Sequence, residues 1–396
     1  MRTPRSTLGV AGTSTLVIGM FSGALGPLLP QLATRLAVPV EAVGSMFTAL
    51  FVGALTTQFT GGWLNERVGL RNMVLIGTGL LTLGMVGITV SLILPLLLAS
   101  AFLIGLGQGA IDISTNVMVT AVFPKEKVVS AVNLLHFAFG AGAVLAPVIA
   151  SAAMAQWGSP MPALYLAALI GLGSLLLGSR LLLNPSAVPQ ARDHQGENVL
   201  YRAPALWLLA LLMFLYVGGE MGVGGWTTVY LTRTSSLAAS SIALVVSGYW
   251  LSLTVGRLVG AVLGTRFSSG ALLMLSVLGS GLGALIILFG GGSVGWTVLG
   301  TLLVGVSYGP IFPTAVVMAT ELFRFAPSRA VSVVISLSSL GGMVLPPLQG
   351  VLLERASPFA SVGLVAVGSI GMLAMLLAVR RGASLRAGDT STAEGK

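Results

Sequence analysis

The chain has no cysteine, only two histidines and very little charge: 8% of its 396 residues are Asp, Glu, Lys or Arg. Without cysteine there is no disulfide, no thiolate metal site and no thiol nucleophile. His136 and His194 lie too far apart to suggest a histidine-rich metal centre. A soluble domain carries about 25% charged residues, so this chain has roughly a third of the charge an ordinary wetted surface needs. What replaces the charge is apolar: 55% of residues are hydrophobic and the mean hydropathy is +0.98. Most of the surface must meet lipid, which excludes a soluble enzyme and a disordered or fibrous protein.

A helix that crosses a bilayer needs about 20 mostly apolar residues. Twelve segments satisfy this, at 11–33, 43–64, 73–93, 96–122, 129–153, 162–183, 204–231, 240–264, 270–290, 296–323, 329–353 and 359–380. The first is too long for a removable signal peptide and lacks its cleavage flank. With both termini placed inside, sixteen of the 20 Lys and Arg fall in cytoplasmic segments or at the cytoplasmic ends of spans, three (Arg35, Arg233, Arg355) fall outside, and Arg257 alone lies well inside a span. This is the positive-inside pattern. It explains the net charge of +9 as topology, and no basic face of the kind nucleic-acid binding requires is present. The expected protein is therefore a multi-pass one of a bacterial-type cytoplasmic membrane. A six-helix bundle at 8–183 is followed by a polar, proline-bearing cytoplasmic linker at 184–203 and a second bundle at 204–381. Residues 382–396, rich in Gly, Ser and Thr, are expected as a disordered cytoplasmic tail.

The two halves repeat. Gly105, Gly109, Ile111, Val117, Met118, Thr120 and Phe123 recur 200 residues later as Gly305, Gly309, Ile311, Val317, Met318, Thr320 and Phe323, and Pro147 recurs as Pro347. At a shift of 199, Gly19, Gly23 and Gly26 match Gly218, Gly222 and Gly225. Two parallel six-helix repeats place a cavity at their interface near the bilayer midplane, and rocking one against the other exposes it to alternate sides. The glycine excess, 53 residues, fits close helix contacts. The fold class is thus all-α, with twelve transmembrane helices in two pseudo-symmetric bundles, and the architecture implies a transporter.

Between spans two and three stands Gly62-Trp63-Leu64-Asn65-Glu66-Arg67-Val68-Gly69-Leu70-Arg71. This resembles the loop motif of the major facilitator superfamily, with Glu66 for the usual Asp and Leu70 for the first basic residue. Gly62, Glu66, Arg67, Gly69 and Arg71 are the gating element the resemblance implies, latching the cytoplasmic side in the outward-facing state. The stretch Gly107 to Asn116, with Asp112 at its centre, is similar to the acidic fourth helix of the fucose permease-like branch. Asn133-Leu134-Leu135-His136 with Gly140-Ala141-Gly142 resembles that branch's fifth helix, and Tyr216-Val217-Gly218-Gly219-Glu220 continuing to Trp226 its seventh. Tyr249-Trp250 with Gly256-Arg257, and Gly309-Pro310-Ile311-Phe312-Pro313, resemble its eighth and tenth. Span one carries no acid where the fucose type has a proton-linked aspartate, so the glucose/mannose:proton symporter pattern fits better.

A charge at mid-membrane costs at least about 2.5 kcal/mol and needs a partner or a task. Gln108, Asp112 and Asn116 repeat every four residues, which stacks them on one helix face. Facing lipid would leave each unsatisfied, so they face either a cavity, as substrate and coupling groups, or another helix. Glu220, among five glycines, is the second proton-coupling candidate, because desolvation penalises a charged carboxylate and permits proton exchange; structural pairing is the other reading. Arg257 is the natural counter-ion for Asp112 or Glu220. Asn133 and His136 are further substrate-binding candidates, with His136 alternatively a structural donor. Trp226, Tyr249, Trp250 and Tyr308 could stack on a sugar ring or simply pack.

The reading is proton-coupled uptake of a hexose such as glucose or mannose by a monomer. Sodium is an alternative ion, and no cofactor, metal or catalytic group is implied. A proton-driven drug or metabolite exporter is the nearest alternative, since Gly140 to Pro147 loosely resembles an antiporter motif. A non-transporting membrane sensor is the further one.

Overall fold

The computed structural model describes residues 3–181 and 197–393. Among them there is no strand. The helices are α1 (Pro4–Leu36), α2 (Val40–Val68), α3 (Leu70–Val90), α4 (Leu94–Val122), α5 (Lys125–Trp157), α6 (Met161–Leu181), α7 (Glu197–Tyr201) and α8 (Pro204–Thr234). They continue with α9 (Ala239–Leu263), α10 (Ser269–Phe289), α11 (Val294–Tyr308), α12 (Ile311–Leu322), α13 (Pro327–Arg355) and α14 (Pro358–Ala393). Twelve spans are long and apolar enough to cross a bilayer, α11 and α12 together making one of them.

The expected spans are all present, with ends that differ from expectation by a few residues, several helices being longer at both ends and others shifted. Span ten differs: it divides at Gly309-Pro310, because proline supplies no N–H to continue the helical ladder. Most of the expected linker, residues 184–196, lies outside the described residues, as does His194. Its end forms the short helix α7, whose Tyr201 carbonyl accepts from the Trp207 indole at 2.8 Å. Residues 382–393, expected as a disordered tail, continue α14 as helix.

By packing, the chain forms two compact units. The first holds Met1–Gln190 with Met221–Leu251 and Pro346–Pro358; the second holds Ala191–Glu220, Ser252–Leu345 and Phe359–Lys396. In the first unit α1 is central, buried on every side from Val17 to Leu29, and packs on α5 and α6. α4 packs on α2 and α3. Glycine makes these seams: a Cβ on Gly105 would overlap the Leu50 carbonyl of α2, and one on Gly142 of α5 the Leu16 carbonyl of α1. The second unit repeats both contacts, with Gly309 pressed on Leu253 of α9 and Gly341 of α13 on Phe214 of α8. Buried hydroxyls recur in the same manner: Ser14 lies between Thr78 and Ser174 at 2.9 and 3.0 Å, and Ser280 meets Ser369 at 3.1 Å. The outward surfaces are apolar, with Leu83, Val86, Leu169, Leu176, Val367 and Ile370 all exposed. Such surfaces belong in acyl chains.

Candidate functional site

The charged site lies in the second unit. Tyr216 and Glu220 are one turn apart on α8 and so share a face. Arg257 of α9 reaches them, its Nη2 3.6 Å from Glu220 Oε1. The Tyr216 hydroxyl is buried near both charged groups. Tyr308, at the end of α11, meets Tyr216 edge-on with ring centroids 5.4 Å apart at 82°. Both tyrosines are buried, and the side chains of Glu220 and Arg257 keep 10% and 26% exposure. Glycines make the approach possible: a Cβ on Gly219 would lie 2.5 Å from the Tyr308 hydroxyl, and one on Gly309 would lie 2.6 Å from the Arg257 backbone nitrogen. An isolated buried charge is prohibitive, whereas a paired one is tolerable. The cluster therefore holds one carboxylate and one guanidinium in mutual compensation, open to change if either is neutralised or engaged elsewhere.

In the first unit, Gln108, Asp112 and Asn116 lie half-buried along α4. Gln108 hydrogen-bonds the Asp112 carboxyl, and Asn116 Nδ2 donates to the Asp112 backbone carbonyl at 2.7 Å. The stripe thus holds its own carboxyl in place. Asn133 and His136 lie three residues apart on an exposed side of α5.

The aromatic candidates separate from Tyr308. Trp226, Tyr249 and Trp250 belong to the first unit, where all three are buried. Tyr249 and Trp250 are edge-on at 5.3 Å, Phe139 of α5 stands 6.2 Å from Trp250, and Phe47 of α2 stands 6.4 Å from Trp226. A Cβ on Gly224 would come 2.8 Å from Trp250, and one on Gly225 would come 2.5 Å from Phe47. The glycine-rich stretch of α8 is regular helix whose bare face seats large neighbouring side chains.

The Gly62–Arg71 motif is compact. Gly62, Glu66 and Arg67 lie inside α2, and Gly69, at φ +86°, alone separates α2 from α3. That left-handed conformation favours glycine. Glu66 is exposed, Arg67 stacks 4.2 Å above the Trp63 ring, and Arg71 donates to the Ser179 carbonyl of α6. Asn65 accepts from Ser114 at 2.8 Å, tying α2 to α4.

Sequence reasoning missed two features. One is Tyr216 as a neighbour of the charged pair, which its four-residue spacing from Glu220 could have suggested. The other is an ion pair between Glu41 and Arg355, at 2.8 Å. These two residues are 314 positions apart, and nothing local in the sequence links them.

Compared with known proteins, residues 11–237 and 209–394 match the family described as Major Facilitator Superfamily. Among curated relatives, "Bypass of stop codon protein 6" of Saccharomyces cerevisiae is 26% identical, over 85% of this chain and 75% of its own length. "Sodium-dependent glucose transporter 1" of Homo sapiens is 25% identical, over 86% and 72%. Among solved structures, a D-xylose-proton symporter superposes with a TM-score of 0.76 at 13% identity, covering 93% of this chain and 96% of that one. At that identity the likeness shows the fold.

Proposed function

This chain belongs to the Major Facilitator Superfamily, and from that premise we propose that it takes up a hexose, glucose or mannose in type, driven by inward proton flow. It is a multi-pass membrane protein and a secondary transporter of small molecules, not an enzyme. The observation that carries the coupling is the Glu220–Arg257 pair at 3.6 Å, set within α8 and α9 beside Tyr216 and Tyr308. While Glu220 is charged, Arg257 compensates it; a proton on Glu220 removes that need and frees the guanidinium for another partner. In the proposed cycle Glu220 or Asp112 takes a proton from outside and sugar binds. The halves then rock, and release inside lets the acid ionise again, Glu220 against Arg257.

The hexose reading is supported by the α4 stripe. Two amides and a carboxyl can both donate to and accept from adjacent hydroxyls, as a pyranose requires. Asn133 and His136 would extend this set, and Trp226, Tyr249, Trp250 and Tyr308 would wall it. The names of the human relative and of the xylose symporter favour sugar as the solute class and leave sodium as the competing ion. The proposal includes two six-helix halves at 8–183 and 204–381, both termini in the cytoplasm of a bacterial-type cell, a monomeric state, and the Gly62–Arg71 motif as the cytoplasmic gate.

Purified protein in liposomes, given an inward proton gradient, should accumulate labelled glucose or mannose, and Asp112→Asn or Glu220→Gln should abolish accumulation. No uptake of any hexose under a proton or a sodium gradient would overturn the solute. Uptake unchanged in both variants would overturn the coupling groups, and uptake under sodium alone would reassign the ion.

A further inference from the structure

When Glu220 takes a proton, Arg257 keeps its charge, because a guanidinium is not deprotonated in proteins. Every state that holds the proton therefore also holds an uncompensated cation inside a span, unless another anion replaces the lost carboxylate. Among the described residues of the second unit, Glu220 is the single acid well inside a span. Glu321, the other acid of those spans, stands next to the end of α12 and accepts from the Ser269 hydroxyl at 2.7 Å. Asp112, in the first unit, is held along α4 by Gln108. The unit that carries Arg257 thus has no replacement of its own to offer.

The surroundings of Arg257 suit an incoming oxyanion. A guanidinium fork meets a carboxylate best through two parallel N–H···O bonds of about 2.8 Å. Glu220 approaches at 3.6 Å, a looser contact that a better-placed carboxylate can displace. The Tyr216 hydroxyl, buried near both charges, makes no hydrogen bond of ordinary length and angle. A buried donor left in that state is costly, and an oxygen that accepted from it would remove the cost. The Arg257 side chain stays partly exposed, so the group is not sealed in helix packing. Resting on the sugar reading above, we propose that the preferred solute is a hexose carrying its own carboxylate, a hexuronate. Its carboxylate replaces Glu220 on Arg257 and accepts from Tyr216 while Glu220 holds the proton. One negative charge leaves the pair and one returns, so the second unit carries the same charge loaded as empty. A neutral hexose brings no charge, and a phosphorylated one brings nearly two; only the monoanion matches.

Equilibrium binding to the purified chain in nanodiscs, at mildly alkaline pH to favour charged Glu220, tests this with three probes of similar shape: glucuronate, its uncharged methyl ester and glucose. In Glu220→Gln, which keeps Arg257 but removes its internal carboxylate, glucuronate affinity should rise about tenfold, within the usual range of coupling between interacting groups. The ester and glucose should gain nothing. In Glu220→Gln combined with Arg257→Gln, which leaves neither charge orphaned, glucuronate should bind no better than its ester. Tyr216→Phe should weaken glucuronate more than glucose. A gain shared by the ester, or one kept in the double variant, would overturn the carboxylate site. So would the absence of any gain while glucose still binds, and the neutral-hexose reading would then stand alone. Binding of none of the three probes to the unsubstituted protein or to any variant would instead remove the hexose reading, and the hexuronate with it.

Discussion

A guanidinium inside a bilayer costs at least about 2.5 kcal/mol on the most lenient scale, and Arg257 meets that cost beside Glu220, 3.6 Å away. Both charges were plain in the sequence, because charge inside a span is conspicuous. Their pairing was not. Arg257 had two candidate partners, Asp112 and Glu220, and only the facing of α8 and α9 puts it beside Glu220, while Asp112 is held along α4 by Gln108. Removing one partner of such a pair leaves the other uncompensated, at a cost of about 3 kcal/mol, whereas removing both charges leaves no orphan. Arg257→Ala should therefore lower the thermal unfolding midpoint of purified protein clearly. Adding Glu220→Gln should recover most of that loss. A double variant as unstable as the single one would show that the pair does not carry the energetics assigned to it.

At the scale of helices, apolar length made the spans legible and the internal repeat made their seams legible. Gly105 and Gly109 on α4 recur as Gly305 and Gly309, and the structure uses Gly105 and Gly309 as close contacts with α2 and α9. Less visible was how sharply span ten would break, since a proline inside a span can kink it or divide it. The aromatic residues were legible as important but not in their surroundings, because burial of Trp226 depends on glycines from α2 and α13 that no local pattern connects to it. Gly309 is an exacting seam beside the charged pair, because a methyl there meets the backbone of Leu253 and Arg257 rather than a flexible side chain. Overpacking of this kind costs about 1–3 kcal/mol. Gly309→Ala should depress both stability and flux by displacing Arg257, whereas Gly368→Ala on α14, where an added Cβ meets nothing within 4 Å, should be neutral or slightly stabilising. Thermal unfolding and flux measured on both variants check this, and equal effects would remove the seam argument.

For the whole molecule, the proposed direction of transport depends on orientation, and charge is the argument for the orientation proposed. Lys and Arg accumulate on the cytoplasmic flank because basic segments are the ones retained there during insertion, and sixteen of 20 fall on the flank that would hold both termini. The opposite flank carries Arg35, Arg233 and Arg355. Each is engaged at its helix end, with the Thr89 carbonyl, Glu354 and Glu41 respectively, so even these few cations serve local contacts rather than a basic surface. Uptake rather than export is proposed on that assignment. The α8–α9 loop and the α9–α10 turn lie on opposite flanks and offer exposed small residues, Ser236 and Thr265, in a chain free of background thiols. Impermeant maleimide on intact cells should label Ser236→Cys and spare Thr265→Cys, and inside-out vesicles should reverse the pattern. The opposite result would place the termini outside.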